Sequence, residues 1–135
     1  MADKSKKNLL SIAGLVVIGL VGVVLILAGS LKLVNVGAED MIEGLGKARL
    51  LQHKTAISSL AIVCGALLLV PFTRKIGILM STAYWGGAIV AHMTYDDSIV
   101  MPASFLALLW IGVFLYHVAT RGETRNQTAE SAESH

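Results

Sequence analysis

Four long blocks without a charged residue dominate the chain, separated by shorter polar stretches. The first runs from Leu9 to Leu31, 23 residues, the second from Thr55 to Phe72, the third from Ile76 to Met93 and the fourth from Ile99 to Ala119. A helix needs about 20 apolar residues, within a range of about 17–25, to cross the hydrocarbon core of a bilayer. All four blocks are long enough, the second and third near the lower limit. The helix ladder satisfies every backbone group inside a span, so the scattered glycines and alanines are tolerated there. Pro102 falls in the first turn of the fourth block, where its missing N–H costs little. The blocks are apolar all round rather than along one stripe, unlike the buried helices of a soluble bundle. The pattern predicts an all-α protein, a bundle of four transmembrane helices.

The connector from Val34 to Lys54 is the only long one. Met41, Ile42, Leu45, Ala48 and Leu51 recur in it at roughly helical spacing. Glu39 and Asp40 at its start and Lys47 and Arg49 near its end suit a helix dipole, while Gly44 and Gly46 weaken the helix. The spacing predicts a short amphipathic segment on the outer membrane surface or over the bundle mouth. The chain thus divides into an N-terminus (1–8), a membrane domain (9–119) and a polar tail (120–135), rich in Ser, Thr and Glu and expected to be disordered.

Composition agrees with this division. The chain is 55% hydrophobic and only 15% charged, with a mean hydropathy of +0.71, whereas a soluble domain carries about 25% charged residues. A net charge of +2, with no basic run beyond Lys4, Lys6 and Lys7, gives no support for a nucleic-acid partner. Cys64 is the single cysteine, so neither an internal disulfide nor a zinc cluster can form. The first block is longer than the 7–15 apolar residues typical of a signal peptide. Ser30 also stands where a lipoprotein would need cysteine, so the block reads as an uncleaved anchor.

Positive charge sets the expected orientation. With the N-terminus inside, Lys4, Lys6, Lys7, Arg74, Lys75, Arg121 and Arg125 lie inside, and Lys32, Lys47, Arg49 and Lys54 outside. Thr73-Arg74-Lys75 against Tyr95-Asp96-Asp97-Ser98 is the clearest contrast, and short loops weigh most in the positive-inside rule. Both termini are predicted to be cytoplasmic.

Small residues mark the faces expected to pack. Gly19, Gly22, Ile26 and Gly29 form a stripe on the first helix, and Ala61 and Gly65 a small-xxx-small pair on the second. On the third, Gly77, Ser81, Tyr84, Ala88, His92 and Tyr95 share a sector of roughly 80° at 100° per residue. Packing within one bundle is the favoured reading, and dimerisation through a stripe is the alternative.

Candidate chemistry is confined to a few polar and aromatic groups. Lys32 ends the first helix, His53 precedes the second, and His92, Asp96 and Asp97 end the third, all near the outer interface. Ionisable groups there need a partner, water or a function. In the structural reading Lys32 snorkels outward to Asp96 or Asp97, and His92 caps helix-end carbonyls. In the functional reading Lys32 and His92 form a proton-exchanging or ligand-binding mouth. His92 and Asp96 at i, i+4 lack a third metal ligand, and no metal site is predicted. Paired histidine ligation of a haem is disfavoured, with His53 outside the membrane and His117 at the opposite face. Trp85 and Trp110 sit near mid-helix rather than at the interfaces. They read as packing or, with Tyr84 nearby, as aromatic walls for a quinone. The hypothetical ligand set is Lys32, Tyr84, Trp85, His92 and Trp110, with no catalytic residue and no firm cofactor.

Several of these segments fall in the order seen in the DoxX-like family of bacterial membrane proteins. They are Gly29-Ser30-Leu31-Lys32-Leu33, Glu43-Gly44-Leu45, Gly65-Ala66-Leu67-Leu68-Leu69-Val70-Pro71, and Tyr84-Trp85-Gly86-Gly87-Ala88-Ile89-Val90-Ala91-His92, followed by Pro102 and Trp110. The chain resembles that family over residues 16–117. The resemblance implies a four-helix protein of the bacterial inner membrane, in a family named for a subunit linked to quinone oxidoreduction in sulfur metabolism. Most members have no established activity. Many carry a glutamate in the second helix where this chain has Ala61.

Three functional readings follow. The first is a non-catalytic or accessory subunit of a membrane redox complex, homo-oligomeric or part of a larger assembly. The second is a quinone- or lipid-binding redox protein, and the third a small permease, for which the chain offers no broken helix and no mid-depth charge. The first is preferred because no nucleophile with a base, no phosphate loop and no complete metal set is present in the sequence.

Overall fold

The computed structural model describes the backbone of residues 2–133 and the side chains of residues 5–121. Within them the helices are α1 (Ala2–Val34), α2 (Glu39–Lys47), α3 (Lys54–Leu69), α4 (Arg74–Met93) and α5 (Val100–Glu133), with a single 3-10 turn, Leu51–His53, leading into α3. No strand occurs among the described residues. Ser5–Val34, Leu51–Leu69, Arg74–Met93 and Val100–Arg121 are each long and apolar enough to span a membrane. The chain is an all-α, multi-pass membrane protein, and four passes return both ends of the membrane domain to one side.

Helix ends follow the hydrogen-bond ladder rather than the apolar blocks. Pro71 disfavours helical backbone at the residue before it. Val70 is accordingly extended (φ −82°, ψ 118°), and α3 stops at Leu69, earlier than the apolar block. The carbonyls left open there are met from the next turn: Thr73 Oγ1 donates to Leu67 O at 3.2 Å and Arg74 Nε to Leu68 O at 3.4 Å. α5 continues to Glu133, so the segment expected to be disordered carries helical backbone. No proline follows Pro102, and the Ala, Glu, Arg and Gln of that segment favour helix.

The four spanning helices form a ring in which α1 packs against α3 and α5, and α4 against the same two. α1 and α4 therefore face each other diagonally. Glycines set the closest approaches. A Cβ on Gly22 would stand 3.1 Å from Gly65 O, and one on Gly14 would stand 2.7 Å from both Gly112 O and Tyr116 N. The expected α1 stripe thus packs inside the bundle, with Gly22 and Gly29 against α3. Ile18, Val21 and Leu25 of α1 meet Ala61, Cys64 and Leu68 of α3, Trp85 of α4 and Leu109 of α5 in the core. Leu20, Leu27, Leu79, Val90 and Phe114 point outward, an apolar surface far too continuous for water but suited to lipid.

Candidate functional site

The polar groups of the site gather toward the end of the bundle that carries α2. α1 closes there through Asn35, whose φ of +56° turns the chain out of the helix, and Lys54 donates to the Asn35 carboxamide oxygen. α2 has an acidic first turn (Glu39, Asp40), a basic last turn (Lys47) and no buried residue, matching the amphipathic segment expected in the long connector. Its Gly44 lies against Tyr95, where a Cβ would stand 3.1 Å from the phenol oxygen. α2 thus rests beside the α4–α5 loop at the bundle mouth. Lys47 pairs with Glu43 at 2.8 Å on the exposed surface. That partner holds the Glu43 carboxyl below its usual range and Lys47 above its own. Burial, helped by the nearby Asp97 carboxylate, pushes the Tyr95 hydroxyl up.

Lys32 does not snorkel outward to Asp96 or Asp97. Its Nζ crosses the bundle diagonal and donates to Tyr84 Oη of α4 at 3.3 Å. The aspartates are held elsewhere. Asp96 occupies a left-handed turn (φ +52°), and Asp97 Oδ2 lies 3.2 Å from His92 Nδ1. That approach is near enough for an ion pair but not aligned as a hydrogen bond, so the buried Nδ1 remains without a hydrogen-bond partner. The expected role of the His92 ring as a carbonyl cap is not seen. Instead the His92 carbonyl accepts from Asp97 N at 3.1 Å, and its ring tilts against Tyr95 with centroids 5.4 Å apart.

Trp85 and Trp110 part company. Trp85 is 6% exposed and stacks on Phe105 of α5, with centroids 4.9 Å apart and planes at 13°. Tyr84 meets it edge-on at 5.5 Å. Trp110 is 50% exposed, because Leu109 takes the inward position and a step of about 100° carries the next residue outward. Of the five residues in the hypothetical set, Lys32, Tyr84 and Trp85 come together. His92 sits beyond them at the mouth, and Trp110 faces away. A planar quinone ring between the two tryptophans does not fit, since Phe105 covers the Trp85 face and Trp110 supplies no second wall.

Two residues of this region, Phe105 and Ser58, were not among those singled out from the sequence, and Ser81 appeared there only on the α4 packing stripe. Phe105 was legible, because Pro102, Phe105, Leu109, Gly112 and Tyr116 recur at helical spacing and fix the inward face of α5. Ser58 and Ser81 are fully buried with no hydrogen-bond partner for either hydroxyl. The Cys64 thiol faces Ser81 across the α3–α4 contact without meeting hydrogen-bond geometry. Trp85 Nε1 is likewise buried and unpartnered. No set of three metal-ligating groups converges among the described residues. Comparison of the chain with family models, with curated proteins and with solved structures returns no match. The fold and the site define a four-pass helical membrane protein whose interior holds a lysine–tyrosine pair and several unspent polar groups.

Proposed function

We propose that this chain is an accessory subunit of a bacterial inner-membrane complex, oriented with both termini in the cytoplasm and working through assembly rather than catalysis. The observation that carries the reading is the outer face of α4. At the α1–α3, α1–α5 and α3–α4 contacts a glycine is closed off by the neighbouring helix, as Gly14, Gly22, Gly65 and Gly77 are. Gly86 and Gly87 have nothing within 4 Å of where a Cβ would stand. With Ala83, Leu79 and Val90 they leave a notched apolar ridge that none of the described residues covers. Membrane helices associate through such notches, since lipid offers no hydrophobic driving force of its own. The occupant is a transmembrane helix of a partner subunit, and the resemblance to the DoxX-like family points to a redox complex as its setting.

The test is native mass spectrometry of the protein extracted from its own membranes in mild detergent, comparing wild type with Gly87→Leu and with Ala107→Leu on the exposed face of α5. A stoichiometric partner polypeptide lost in Gly87→Leu and retained in Ala107→Leu is the expected result. A lone monomer in all three, or a homodimer insensitive to Gly87→Leu, would overturn the reading.

A further inference from the structure

Lys32 is an unusual cation for a helix end so close to water. Its side chain turns inward across the bundle to a neutral phenol, and no carboxylate lies within 4 Å of its ammonium among the described residues. Two acids at that end lie against other groups, Glu43 against the Lys47 ammonium and Asp97 against the His92 ring. An ammonium drawn into a low-dielectric bundle without a counter-charge is costly. It has three N–H donors, one of them given to Tyr84. The phenol accepts that bond and keeps its own proton to give.

Two fully buried serines lie on the neighbouring turns of the bundle. Gly29, one turn before Lys32 on α1, lies directly against the Ser58 backbone, where a Cβ would come within 2.7 Å of Ser58 O. That places Ser58 at the foot of the lysine side chain. Ser81 sits one turn before Tyr84 on the same face of α4, its hydroxyl beside the Cys64 thiol. A serine inside a helix commonly spends its hydroxyl on the carbonyl four residues back, as Ser104 does on Val100 at 2.6 Å. Ser58 and Ser81 do not. Lys32 and Tyr84 thus bring together a cation without a carboxylate partner among the described residues and a phenol proton still free to be given, and such donors receive an anionic oxygen group.

We propose that Lys32 and Tyr84 form a receptor for one anionic oxygen group, a carboxylate or phosphate, entering from the α2 end. The group supplies the missing counter-charge by accepting from the Lys32 ammonium and the Tyr84 hydroxyl. This site is independent of the α4 ridge and does not rest on the accessory-subunit reading.

The experiment uses the full chain in neutral detergent, titrated separately with laurate, inorganic phosphate and short-chain phosphatidylglycerol. Binding is read by the fluorescence of Trp85, which touches Tyr84 edge-on, in a Trp110→Phe background. At least one probe should saturate. Its affinity should fall at least tenfold in Lys32→Met, as loss of one charge-assisted hydrogen bond implies, and be largely kept in Lys32→Arg. Saturation by laurate alone assigns a fatty carboxylate, by phosphate alone a free anion, and by phosphatidylglycerol alone a lipid headgroup. Tyr84→Phe, which keeps the ring, should weaken the same probe and so tests the site if Lys32→Met fails to fold. No saturation by any probe, or affinities unchanged in Lys32→Met and Tyr84→Phe, would overturn the proposal.

Discussion

One methyl group added at Gly77 and one added at Gly87 should act in opposite directions, although both residues lie in α4. At Gly77 the new Cβ would stand 2.7 Å from Leu67 C and Leu68 N and 2.8 Å from Leu67 O. All three are backbone atoms of α3, so no rotamer change can make room, and α4 must move off α3. Overpacking of this kind costs about 1–3 kcal/mol, against a gain of up to about 1 kcal/mol from replacing glycine by alanine in a helix. At Gly87 the Cβ meets nothing within 4 Å, and only the helical gain remains. That gain nearly cancels between the two variants. The difference should therefore be about 1–3 kcal/mol, or roughly 5–150-fold in the folding equilibrium constant. Reversible unfolding of the purified chain in mixed micelles, followed by near-UV circular dichroism, measures it. Gly77→Ala should be the less stable and Gly87→Ala equal to or above wild type. Equal stability of the two, or a loss confined to Gly87→Ala, would refute the packing described for α3 and α4.

Other expectations follow from single contacts. Phe105→Leu should cost about 0.5–1.5 kcal/mol through loss of the ring stacked on Trp85, whereas Trp110→Leu, on the lipid-facing side, should leave the same unfolding curve unchanged. The sole cysteine, Cys64, is fully buried, so a maleimide should label it only after unfolding, and rapid labelling of the folded protein would contradict the core. The Glu43 carboxyl is held below its ordinary value by Lys47. Its contribution to α2 is therefore present above the usual glutamate range near 4.3 and lost as pH falls through the lowered value. Protection of the α2 amides, taken relative to their intrinsic exchange rates, should fall over that acidic window, and Glu43→Gln should remove the step.

The four spans were legible because each carries its own signal: an uncharged block of the right length does not depend on its neighbours. The packing stripes were legible for a similar reason, since Gly22, Gly29, Ala61 and Gly65 could be placed on faces by periodicity alone. Pairing between helices was not. Depth along a helix put Trp85 and Trp110 level, but rotation about the helix axis decides what a ring touches, and Leu109 had taken the inward place beside Trp110. Lys32 was read from its position at a helix end, where outward snorkelling is the usual outcome. Only the ring order of the helices shows that Tyr84 stands diagonally opposite, within reach. Periodicity put Ser81 on the packing stripe of α4 but left Ser58 unmarked, and neither unspent hydroxyl could be foreseen, because a serine in an apolar helix looks the same whether its hydroxyl is spent on its own backbone or left free.

The proposed orientation of the four passes, with α2 at the outer mouth and both termini inside, is tested most directly by cysteine accessibility in intact cells. Single cysteines would be placed in a Cys64→Ser background by Gln52→Cys and Ser98→Cys at the α2 end and by Lys75→Cys at the other. A membrane-impermeant maleimide should label the first two in intact cells and the third only after permeabilisation. Labelling of position 75 in intact cells, or of all three from one side, would contradict the account.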